Sequence, residues 1–195
     1  AISGSAVANT FTKPEGAALD AEIAAVNNWI DRTAALGAPH LRVFAGEVPA
    51  GGSLADARRS CITALEACAE HAGRAGVMLG LENHGGIVAD ADGLLAILAA
   101  VKSPWVGVNL DTGNFHCADP YAELARCVPY AVNVQYKVEV KRGPDGPKEP
   151  ADAARVVKLL RDGGYQGCLT LEYEAAEDPF TAVPRHLREL RGLIA

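Results

Sequence analysis

The 195-residue sequence lacks several things, and each absence removes a class of protein. No apolar run approaches the roughly 18–20 residues that span a bilayer, so no membrane helix is expected. There is no basic excess. The formal net charge is -6, whereas a nucleic-acid face needs a surplus or a stripe of Lys and Arg. No Cys-x-x-Cys occurs, and the five cysteines (Cys61, Cys68, Cys117, Cys127 and Cys168) are odd in number and scattered. Such a set builds neither a disulfide framework nor a thiolate zinc site. It reads as small buried hydrophobes in a reducing compartment, with the cytoplasm as the expected location. The opening stretch AISGSAVANTF has no basic segment ahead of its apolar part and is not expected to act as a signal peptide.

What is present is enough for one domain, residues 1–195, with a sizeable core: 49% of the residues are hydrophobic. Short β-branched runs alternate with longer helical stretches. Strands are expected at Ile2–Val7, His40–Phe44, Val77–Glu82, Val106–Asp111, Ala131–Val140 and Cys168–Tyr173. Helices are expected near Ala17–Leu36, Leu54–Ala75, Ala91–Val101, Pro120–Cys127, Pro150–Asp162 and Pro179–Leu193. Ile23, Val26, Ile30 and Ala34 recur at the three-to-four spacing of a helix face. Asp119-Pro120 and Glu149-Pro150 suit first helical turns, and Gly37 and Gly163-Gly164 suit helix ends. The runs VGVNL and CLTLEY are apolar almost throughout, as in a parallel sheet covered by helices. The segment KRGPDGPKEP, residues 141–150, reads as a loop. Six βα units of about 32 residues each match the size of right-handed crossover units.

Two architectures accommodate six such units. A doubly wound sheet predicts a glycine-rich phosphate loop after the first strand, and neither GxGxxG nor GxxxxGK[ST] is present. A barrel predicts that chemistry gathers at the C-terminal ends of several strands. Four successive strands do finish in an oxygen ligand: Glu82 in VMLGLENH, Asp111 in VGVNLDTGN, Gln135 in AVNVQYK and Glu172 in CLTLEYE. Parallel strands joined by regular crossovers place those ends on one face. The set is hard and oxygen-rich, suited to Mg2+, Mn2+ or Co2+ rather than to a thiol-bound metal.

The motifs LGLENHGG, VGVNLDTGN, VNVQYKVE and GYQGCLTLEYE, in this order, resemble the xylose isomerase-like TIM barrels, the sugar phosphate isomerase/epimerase group. The likeness runs over essentially the whole chain. It implies an α/β, TIM-barrel-like fold of six βα units with parallel strands, lacking the first two units of an eight-fold barrel. It implies one divalent metal ion, Mn2+ foremost with Mg2+, Co2+ or Zn2+ as alternatives, held by Glu82, Asp111, Gln135 and Glu172. Gln135 departs from the family pattern, where histidine is the common ligand. The implied chemistry moves a proton between adjacent carbons of a sugar or keto-sugar through an enediolate, with Glu82 and Glu172 as base and acid. The partner is then a small-molecule sugar, with no nucleic acid and no membrane.

A second group of residues is expected to touch substrate. Lys137 shares a strand face with Gln135 and is placed to neutralise an enediolate, although Lys141 and Arg142 also suggest an ordinary charged loop. His84 follows Glu82 by two residues. Arg42 is read either as a substrate clamp or as the ion-pair partner of a nearby carboxylate. Asn114 stands where family members often carry histidine, and His116 lies just beyond it. His40, His71 and His186 are expected at the surface, Trp29 and Trp105 in packing, and Asn9 at most along a pocket wall. An arc of six strands would leave two edges open, so self-association through those edges is expected. Two other readings accompany the isomerase: a truncated barrel that binds metal or sugar without turnover, and a lyase or dehydratase acting on keto-sugars. An endonuclease on a similar barrel would use a histidine-rich zinc cluster and a basic face, which five histidines and a net charge of -6 do not supply.

Overall fold

The structure is a computed structural model describing residues 1–195. Its core is a parallel sheet of six strands with a helix after each. In chain order they are β1 (Ser5–Ala6), α1 (Ala17–Ala35), β2 (His40–Val43), α2 (Leu54–Ala75), β3 (Met78–Glu82), α3 (Ala91–Ala100), β4 (Val106–Asp111), α4 (Pro120–Cys127) and β5 (Ala131–Lys137). A small hairpin of β6 (Glu139–Lys141) and β7 (Lys148–Pro150) follows, then α5 (Ala153–Asp162), β8 (Leu169–Glu172) and α6 (Pro179–Ile194). The sheet order is β1-β2-β3-β4-β5-β8, each neighbour parallel, and the sheet curls into a half-barrel. Its two ends come near each other, with Ser3 Oγ and Thr170 Oγ1 3.5 Å apart.

The pleat sorts the strand residues. Leu41, Val43, Leu79, Leu81, Val108, Leu110, Val134 and Tyr136 alternate onto the helix-covered face and are buried. Each such side chain removed from water contributes about 1.5–3 kcal/mol, so this helix–sheet layer supplies most of the cohesion. The opposite face carries His40, Arg42, Gly80, Glu82, Asn109, Asp111, Asn133 and Gln135. A barrel interior is ordinarily filled by bulky branched residues; here it is polar.

Helix ends follow their capping residues. Ser53 accepts from Asp56 N–H at the start of α2, and Gly76, at φ 70°, closes it in the left-handed region. Asp119 caps α4 ahead of Pro120. The helix expected from Pro150 begins instead at Ala153, capped by Asp152, because Pro150 pairs with Glu139 in the hairpin. That hairpin also corrects the reading of residues 141–150 as a plain loop. The strand expected over Ala131–Val140 breaks after Lys137, where the chain turns off the sheet to pair β6 with β7. The first strand keeps only Ser5–Ala6 of the expected Ile2–Val7.

His40 is a further correction. It is 4% exposed rather than at the surface, and burial pushes its imidazole down to about 4, holding it neutral. Room for the ring comes from glycines on either side, since a Cβ at Gly4 or Gly80 would stand 2.2 or 2.5 Å from a ring nitrogen. His71 pairs with Asp31, and His186 is half-buried beside Tyr173. All five cysteines are unpaired; Cys61, Cys68 and Cys127 are buried, whereas Cys168 is exposed.

Candidate active site

Strand register builds the site at the C-terminal ends. Glu82 stands opposite Asn109, Asp111 opposite Gln135, and Lys137 opposite Glu172. Beyond the end of β3, Asn83 continues the ladder with its side chain. It donates to the Asp111 carbonyl at 2.9 Å and accepts from the Asp111 N–H at 2.8 Å. The amide thus mimics one more peptide rung and fixes the Asp111 backbone.

Glu82 is 3% exposed and Asp111 fully buried. Burial lifts the Glu82 carboxyl to about 7; Arg42 opposes that rise and the Glu172 charge adds to it. Burial also carries Asp111 well above the usual carboxylate range, against the pull of Lys137 and the Gly113 N–H. Arg42 Nε lies 3.1 Å from Glu82 Oε2, an ion pair without the alignment of a hydrogen bond. The Arg42 guanidinium also sits over the Phe44 ring at 3.9 Å. Arg42 is thus paired with a carboxylate of the site in the absence of substrate.

A row of amides links the carboxylates. Asn133 donates to Asn109 Oδ1 at 2.8 Å. Asn109 donates to Gln135 Oε1 and, at 3.3 Å, to Glu82 Oε2. Gln135 in turn donates to Glu172 Oε2 at 2.5 Å. Asn114 adds a donor to Glu82 Oε1 at 3.2 Å. Lys137 Nζ reaches three carboxylates: Glu174 at 2.6 Å, Glu172 at 3.1 Å and Asp111 at 3.6 Å. Burial disfavours the ammonium, yet the Glu174 hydrogen bond and the charges of Asp111 and Glu172 outweigh it, so Lys137 titrates above its ordinary value.

The structure therefore brings together Glu82, Asp111, Gln135, Glu172, Lys137, Arg42 and Asn114. It does not bring His84 or His116 into contact with them. His84 packs at a tilt against Phe44, ring centroids 4.6 Å apart, beside a cavity of about 440 Å³ that Asn9 and Thr12 also line. Asn9 is occupied by the Phe44 backbone, donating to its carbonyl and accepting from its N–H. His116 lines a second cavity, of about 210 Å³, with Asn114, Lys137, Glu139, Lys148 and Glu174. Sequence reasoning missed Asn109, Asn83, Asn133 and Glu174. Asn109 and Asn133 carried a signal, each two residues before a chosen ligand and so on its strand face, and Glu174 follows Glu172 by two residues just past the end of β8.

No three His, Cys, Asp or Glu side chains close on one another as a metal cluster. The oxygen donors nonetheless fit a hard cation, because Asp111 Oδ2 is buried with no hydrogen-bond partner.

A parallel α/β half-barrel with a buried carboxylate–amide cluster at the C-terminal strand ends is a protein of the TIM-barrel class. The chain belongs to the xylose isomerase-like TIM barrel family, whose model matches residues 2–191. Among solved structures it is similar to a xylose isomerase domain protein from Planctomyces limnophilus, at TM-score 0.71 and 22% identity, covering 89% of this chain and 64% of that one. It is also similar to the 3-keto-D-glucoside 4-epimerase YcjR from E. coli, at TM-score 0.79 and 16% identity, over 97% and 78% of the two chains. A third is a xylose isomerase-like TIM barrel protein from Mycobacterium smegmatis solved with magnesium, at TM-score 0.72 and 17% identity, over 97% and 72%. The chain thus spans less than two thirds of the first of these proteins. No curated protein matches it in sequence.

Proposed function

We propose that the chain is a single domain with divalent-metal-dependent sugar isomerase or epimerase activity. The observation that supports the reading is the buried Asp111 Oδ2, which has no hydrogen-bond partner, on the strand ends that also carry Glu82, Gln135 and Glu172. Those four residues would hold the ion, with Mn2+ our preferred choice, Gln135 using the free lone pair of its Oε1. When bound, the ion supplies positive charge against the oxyanion that develops on an enediolate.

The chain's own residues do the rest. Glu82, whose carboxyl burial lifts to about 7 with no ion bound, would be held ionised by a neighbouring cation and so suits the role of general base. Glu172 lies across the amide row from Glu82, so the two address a substrate from different sides. Lys137 supplies a fixed positive charge, and Asn114 offers an N–H beside Glu82. The cavities on either side, one holding His84 and the other His116, offer mixed donors and acceptors for hydroxyl groups. In the His116 cavity Lys137 and Lys148 are paired with Glu174 and Glu139, which leaves no surplus positive charge for a phosphate ester and favours an unphosphorylated sugar.

Similarity to named epimerases supports this substrate class, and similarity to a protein solved with magnesium supports a divalent metal. No backbone ladder joins the outer strands β1 and β8, which leaves their edge groups for self-association, and five unpaired cysteines favour the cytoplasm. The test is solvent deuterium incorporation into aldoses, ketoses and 3-keto-glycosides with Mn2+ present. Exchange at one carbon, lost in Glu172→Gln, supports the reading. Metal uptake without exchange assigns a binding protein instead, and elimination of a leaving group assigns a lyase.

A further inference from the structure

The Lys137 ammonium is confined. Its side chain is 11% exposed, and its stem lies against Gly113, where an added Cβ would stand 2.7 Å from both Cβ and Cγ of Lys137. Only the far end of the side chain is free to choose among acceptors. Those acceptors are graded, from Glu174 at 2.6 Å through Glu172 at 3.1 Å to Asp111 at 3.6 Å. The nearest is also the outermost: the Glu174 side chain is 60% exposed, that of Asp111 1%. Asp111 Oδ2 has no hydrogen bond at all. An ammonium with three donors would otherwise turn toward an unsatisfied buried carboxylate.

We propose that Glu174 is a positioning residue, drawing the Lys137 ammonium outward off Asp111 and Glu172 and so setting how tightly those carboxylates take a divalent cation. The physics is Coulombic. A positive charge near Asp111 repels an incoming cation and competes for the same oxygens, and both effects weaken as the charge is held away. Glu174 also keeps Lys137 poised at the site as the positive group facing substrate. The inference rests on the metal-site reading above.

The experiment is a Mn2+ titration of the full chain, followed calorimetrically and by loss of the free-ion EPR signal. Glu174→Gln is expected to weaken binding about tenfold, a coupling of ordinary size for groups in contact. Lys137→Met is expected to tighten it, and in that background Glu174→Gln should change affinity less than about twofold. Glu174→Asp separates position from charge without touching Lys137. It keeps the negative charge but withdraws it from the ammonium, so it should weaken binding nearly as much as Glu174→Gln. Wild-type affinity in Glu174→Asp, or an equal Glu174→Gln effect in both backgrounds, means Glu174 acts only as distant charge and overturns the inference. If wild type takes up no Mn2+, the metal-site reading falls and this inference with it; uptake with additive effects sinks the inference alone.

Discussion

Glu82→Gln isolates the electrostatic cost of the site. In the native chain the Glu82 carboxyl titrates near 7, against an ordinary value of 4.5. A lift of that size amounts to about 3 kcal/mol, at about 1.4 kcal/mol for each tenfold change in proton affinity. The folded state binds the proton more tightly than the unfolded one. Stability from this group is therefore fully present below about pH 4.5 and is lost as pH rises through about 7. The neutral amide escapes that loss. At pH 8 Glu82→Gln should be more stable than wild type by up to about 3 kcal/mol, less whatever the freed Arg42 charge costs. At pH 5 the two should lie close together. In a chain of this size each kcal/mol moves the midpoint by about 2–4 °C, so thermal unfolding followed by circular dichroism in EDTA resolves the effect. Saturating Mn2+ should close the gap at pH 8, because a cation beside Glu82 favours the ionised carboxylate only wild type has. A gap of equal size at pH 5 and pH 8 would refute the argument from burial.

Three further outcomes are expected. Glu172→Gln should abolish deuterium exchange while moving chemical-denaturation stability by less than about 1 kcal/mol, since β8 is only half-buried; substantial residual exchange would place the base elsewhere. Gln135→His should tighten Mn2+ binding about tenfold, imidazole being the stronger donor; unchanged affinity in calorimetry would remove Gln135 from the ligand set. Asn109→Leu should cost about 2–4 kcal/mol in urea unfolding, because the Asn133 donor and the Gln135 acceptor both lose their partner in a buried setting; a neutral result would mean those amides find other partners.

Alternation within apolar strands made much of this readable from the residues alone. VGVNLD and CLTLEY place one face under helices, and the carboxylate at each strand end follows from that face. What alternation does not convey is the pairing of one strand with the next. Glu82 opposite Asn109 and Asp111 opposite Gln135 are contacts across 27 and 24 residues, set by register and by a bulge between Val108 and Asn109. Asn109 therefore drew no assignment from the sequence, although its polarity within an apolar run was itself the clue. His40 was misread because it opens a strand, where the sequence does not say which face is enclosed. The glycines that make room for it lie 36 and 40 residues away, Gly4 just before β1 and Gly80 within β3. The hairpin stayed hidden because glycine and proline mark a turn without saying what flanks it.

The row of amides has a direction. Glu172 is an acceptor, so Gln135 must turn its N–H toward it; the Gln135 oxygen then faces Asn109, whose own oxygen is left for Asn133. Reversing any one amide sets donor against donor on one side and oxygen against oxygen on the other. The three therefore keep their sense together or exchange it together, like dominoes that fall only as a line. The acceptor at the rim, Glu172, together with Glu82, which also accepts from Asn109, thus fixes the oxygen that Asn109 presents to the Asn133 N–H. Side-chain amide resonances of Asn109, Asn133 and Gln135 should accordingly shift as one when Glu172 is neutralised.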